Sequence, residues 1–127
     1  MPASTQAAPL TFDAFWRWLA EHRNCIVRVG TSDLMLMDHD QLHWDLFDEE
    51  DGRAVVQAIL GKSLVGELLI ERSEVLLVQA SPDLENPSSG YWIFECLGGT
   101  GPENYPLFVF VLTHGMEQAQ GHQVLKH

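Results

Sequence analysis

The stretch 38–70 reads DHDQLHWDLFDEEDG (38–52) followed by RAVVQAILGKSLVGELLI (53–70). Seven of its first fourteen residues are Asp or Glu, so any polar chemistry here belongs to the first half, while the apolar second half must enter a core. Residues 42–48 alternate: Leu42, Trp44 and Leu46 share one face of a strand, and His43, Asp45 and Phe47 the other. Glu49-Glu50-Asp51-Gly52 reads as a turn, because Gly supplies the positive φ that a tight reversal needs. Arg53–Leu60 then reads as a second strand. The competing reading is a helix capped by Asp48 and ended at Gly61; the β-branched pair Val55-Val56 and the hairpin-type Gly61-Lys62 favour strand. Ser63–Ile70 completes a three-strand meander.

Working outward, the best helix signal is Thr11–Arg23. Thr11 is an N-cap residue, Asp13 lies in the first turn, and Phe12, Phe15, Trp16 and Leu19 recur at i, i+3, i+4 and i+7. That stripe is expected to dock on a sheet, with Trp16 in the core and Trp18 facing away from it. Strands are expected at Cys25–Val29, Leu34–Met37, Glu74–Ala80, Tyr91–Cys96 and Leu107–Leu112. Leu34–Met37 is apolar on both faces, which places it inside a sheet, and Phe110 lies in the apolar run LFVFVL. Ser81–Gly90 and the GGTGPENYP segment are loops. The expected fold is α+β: an N-terminal helix packed on a curved or closed, mainly antiparallel sheet of about eight short strands. The 127 residues form one domain, with 1–10 and 114–127 as loose tails.

The formal charge is −11, from 18 acidic residues against 7 Lys and Arg. A surface of that sign repels phosphate backbones and anionic lipid, which excludes nucleic acid and membrane as partners and favours a basic protein partner. No apolar run reaches the length of a membrane span, and 1–10 has neither the charge nor the hydrophobic run of a signal peptide. The chain therefore reads as cytoplasmic, with Cys25 and Cys96 as reduced thiols too far apart for a metal or redox pair motif.

Three kinds of chemistry are open to these residues. Gly61-Lys62-Ser63 resembles the end of a phosphate loop, but Val56 stands where that motif needs Gly. His39, His43 and Asp45, within the acidic stretch, form a candidate metal set, for which a metal-dependent hydrolase is the matching activity. Cys96 precedes Leu97-Gly98-Gly99 and could act as a nucleophile with His43 or His114 as base, although a cysteine ending an apolar strand is ordinarily a small buried hydrophobe. No cofactor is implied. The preferred reading is a non-enzymatic protein-interaction module that binds through Trp18 and the acidic residues Asp48, Glu49, Glu50 and Asp51. As residues of a turn, Asp48, Glu49 and Glu50 are expected to be replaceable without loss of folding.

Overall fold

In the computed structural model, residues 9–99 and 104–116 are described. Helix α1 spans Phe12–Glu21 and is capped as expected: the Thr11 hydroxyl accepts from the Ala14 amide at 3.1 Å. Its end comes earlier than the pattern suggested. His22 is the C-cap, and Arg23–Cys25 tighten into a 3₁₀ turn.

Eight strands follow: β1 (Ile26–Gly30), β2 (Met35–Met37), β3 (Leu42–Asp48), β4 (Ala54–Leu60), β5 (Ser63–Ile70), β6 (Leu77–Pro82), β7 (Trp92–Gly98) and β8 (Tyr105–Leu112). The meander over 42–70 is present, and 54–60 is strand, not helix. Both hairpin glycines have the positive φ anticipated for them, 93° at Gly52 and 65° at Gly61. The strands do not close into one barrel. They divide into a five-stranded sheet, β2-β1-β8-β7-β6, and a three-stranded sheet, β3-β4-β5, with antiparallel pairing throughout.

One core joins the two sheets and the helix. The larger sheet contributes Val29, Phe110, Phe94 and Ala80, which lie side by side across β1, β8, β7 and β6. The smaller sheet contributes Trp44, Val56, Ala58, Leu68 and Ile70. The helix stripe fills the space between: Phe15 stacks on Phe94 at 5.1 Å and meets Phe110 edge-on at 5.3 Å. Such aromatic pairs add directional attraction to the burial of their surface, which fixes how the helix sits on the sheet.

β2 departs from expectation. Apolar residues on both faces suggested an interior strand, yet β2 is the edge of the larger sheet, and Leu34, Met35 and Met37 are exposed. Only Leu36 turns inward. It lies against Gly66 of β5, where an added Cβ would come within 2.7 Å of Leu36 Cδ2. The missing side chain at Gly66 is what lets the edges of the two sheets approach there.

The regions read as tails begin inside the packed structure. Leu10 forms two backbone hydrogen bonds with Val78, each 2.8 Å, at the free edge of β6. After β8, Gly115 is buried against the Trp92 indole and Met116 packs on the core. The remaining parts of both tails, 1–8 and 117–127, lie outside the described residues. No helix among the described residues is long and apolar enough to cross a membrane.

Candidate functional site

The β3–β4 hairpin concentrates acid as its sequence implies, but most of that charge is engaged within the chain. Asp48 ends β3 beside the helix, where its Oδ1 accepts from Trp16 Nε1 at 2.9 Å and from Arg72 NH2 at 2.8 Å. Arg72 belongs to a 3₁₀ turn, Arg72–Glu74, between β5 and β6. It also donates to Asp13 at 3.3 Å and lies over the Phe12 ring at 5.5 Å. Asp48 therefore ties three elements together: α1, β3 and the connection between the sheets. It is a structural acceptor as much as a surface charge.

Arg53 holds the turn itself. Its Nε donates to Asp51 Oδ2 at 2.9 Å and its NH2 lies 3.0 Å from Glu49 Oε1. The second contact is ionic only, since its geometry does not align a hydrogen bond. The Arg53 amide also donates to Asp51 Oδ1 at 3.1 Å, and this bond is the main reason the Asp51 carboxyl is held below its ordinary range. Asp51 in turn holds the Arg53 guanidinium above its ordinary value. Glu50 is exposed at the tip.

The candidate metal residues do not converge. His43 and Asp45 do share the outer face of β3, opposite Ile59 and Gln57 of β4. His39 lies apart in the β2–β3 turn, where its Nδ1 accepts from the Gln41 amide at 3.2 Å. Among the described residues, no group of three His, Cys, Asp or Glu side chains is placed to hold a metal ion.

Trp18 is half-buried. Its indole packs on Phe94 and Phe15 and stacks on His22 at 4.5 Å. Helical periodicity put it outside the stripe; a second aromatic layer formed by His22 and His114 covers it instead. Cys96 is fully buried in β7, and burial pushes its thiol up to about 12, which leaves no thiolate for nucleophilic work near neutrality. His114 contacts the other cysteine: its Nε2 lies 3.2 Å from Cys25 Sγ. That pair had no signal in the sequence, because the two residues are 89 positions apart and meet only when β1 and β8 become neighbours.

The surface least satisfied within the chain is apolar. β5 is one of the two outer strands of the smaller sheet, β3 being the other, so one side of its backbone has no strand partner among the described residues. Around it Leu60, Leu64, Val65 and Leu69 are 38 to 54% exposed. β2, in contact with β5 through Leu36 and Gly66, adds Met35 and Met37 at 41 and 57%. Periodicity could not reveal this patch, because an apolar residue on an edge strand looks the same in sequence as one in a core.

Comparison with family models, curated proteins and solved structures finds no match to the chain.

Proposed function

We propose that the chain is a non-enzymatic interaction module that takes up an extended segment of a basic protein along the edge of β5. The observation that carries this reading is the eight-residue, largely apolar β5, whose outer backbone edge pairs with no other strand among the described residues and is approached by β2 only where Leu36 lies against Gly66. Proteins blunt exposed edges with proline, inward charges or short strands, since unpaired backbone groups beside apolar side chains recruit other strands. β5 has no proline, and its one charged residue, Glu67, accepts at 2.7 Å from Gln57 on the neighbouring strand. An added strand would satisfy the free backbone groups and cover Val65 and Leu69, the mode used by many peptide-binding sheets. The charge of −11 opposes a second copy of the chain as the occupant and favours a cationic one.

The test places a photo-crosslinking residue at position 65, or at position 88 as a control, in the full chain within its source cell. A basic protein should be captured from 65 and not from 88. Capture should fall with rising salt and be lost in the double variant Val65→Lys, Leu69→Lys, whose circular dichroism should match the parent. Capture of only a second copy, or of nothing, overturns the reading.

A further inference from the structure

Cys25 and His114 form a thiol–imidazole pair whose proton positions follow from hydrogen-bond chemistry. His114 Nδ1 lies 3.1 Å from the Gly115 carbonyl oxygen, which can only accept. Nδ1 therefore carries the proton, and Nε2 turns its lone pair toward Cys25 Sγ at 3.2 Å. The thiol hydrogen donates to that nitrogen. This is the ordering found where a base activates a nucleophile: nucleophile, base, and a third group that fixes the base's tautomer.

The surroundings hold this pair in place. The Cys25 amide donates to the His22 carbonyl at 2.9 Å, and the Thr113 amide donates to the Cys25 carbonyl at 3.0 Å, so both flanks of the pair are locked by backbone. His22 Nδ1 lies 2.8 Å from the Trp18 carbonyl oxygen, which fixes the second imidazole by the same argument. His22 and His114 meet edge-to-face at 5.4 Å, and Trp18 meets His114 edge-to-face at 5.9 Å. Cys25 itself is half-buried, in contrast to the fully buried Cys96.

We infer that Cys25 is a thiol-exchange site, activated by His114, that takes small disulfides. The thiol proton passes to His114 Nε2 and the Cys25 sulfur attacks one sulfur of the disulfide. A new S–S bond forms to Cys25 as the original S–S bond breaks, and the departing thiolate takes the proton back from His114. One disulfide is consumed and one is formed, with no net oxidation. Half-burial of Cys25 restricts the reaction to small molecules, and the backbone bonds at its flanks hold the sulfur beside its base.

The test uses 5,5′-dithiobis(2-nitrobenzoic acid) on the folded full chain, following release of the coloured thiolate. The Cys96→Ser variant should retain one fast thiol, and Cys25→Ser should be silent until denatured. In the Cys96→Ser background, His114→Gln should slow the reaction by roughly tenfold or more near neutral pH, because the base that takes the thiol proton is gone. It should also restore the steep rise with pH of an unassisted thiol, a change that a merely structural role for His114 would not produce. Equal rates and equal pH profiles with and without His114 overturn the inference, as does a Cys25 that reacts only on unfolding. If His114→Gln fails to fold, the Cys96→Ser profile decides alone. A rate that flattens toward low pH supports the pair, and a tenfold rise per pH unit from about pH 6 to about pH 8 overturns it.

Discussion

Asp48 and Glu50 are two residues apart in one acidic turn, and the structure gives them opposite roles. Asp48 accepts from Trp16 and Arg72, whereas Glu50 stands exposed at the tip. Asp48→Ala leaves the buried indole N–H of Trp16 without its acceptor and should cost about 1–2 kcal/mol in denaturant unfolding. Glu50→Ser should stay within about 0.5 kcal/mol of the parent, as surface changes do. Equal effects of the two would remove Asp48 from its structural role, and the earlier expectation that the whole turn is replaceable would stand. Cys96 supports a second prediction at this scale. Its thiol is raised from 9.0 to about 12 by burial, so the folded state resists ionisation that the unfolded chain undergoes. A raised acidic group contributes fully below the unfolded value and loses its contribution as pH climbs toward the folded one. Between pH 9.0 and about 12 the parent should therefore lose stability faster than Cys96→Ala, by up to about 1.4 kcal/mol per pH unit. Comparing the two chains cancels every other titrating group, and parallel alkaline limbs would rule the effect out.

Helix α1 was the most legible element, because a 3.6-residue apolar period and an N-cap threonine can be read without knowing what the helix packs on. Its buried face is the one the spacing indicated. Trp16→Ala and Phe110→Ala should each cost roughly 3–5 kcal/mol, since both empty tightly filled volume in one core. Losses below about 1 kcal/mol for both would mean that the helix does not dock as described. β2 shows the reverse case. Its composition is that of a central strand, yet its three residues pair on one side only. Besides its pairing with β1, the contact of Leu36 with Gly66 ties it to the other sheet. That contact predicts coupling: Gly66→Val and Leu36→Ala, combined, should depart from the sum of their separate effects by about 0.5–3 kcal/mol. Strict additivity in a double-mutant cycle would show that the two edges do not meet there.

At the scale of the whole molecule, a strongly acidic charge coexists with an apolar edge that no other described strand pairs with. The charge opposes association of copies at neutral pH, and that opposition vanishes near the isoelectric point of about 4.7. Turbidity should peak there, and Val65→Thr with Leu69→Thr should lower the peak, because both changes are neutral in charge and reduce only the apolar edge. An unchanged peak would place the association surface elsewhere on the molecule.

By itself the sequence determined the elements: a capped amphipathic helix, a hairpin meander over 42–70 turned at Gly52 and Gly61, and five further strands, the last of them LFVFVL. Those are local properties, set by side-chain period and by the few residues that tolerate positive φ. Tertiary structure alone decided how the strands divide into two sheets and which of them are edges. It also decided that Asp48 bonds to Trp16, 32 positions away, and that His114 meets Cys25, 89 positions away. Sheet membership and long-range pairing depend on which strands become neighbours once the core forms. No local pattern encodes that, because an apolar residue buries equally well against many partners and a carboxylate or imidazole reveals its partner only when the chain has brought it there.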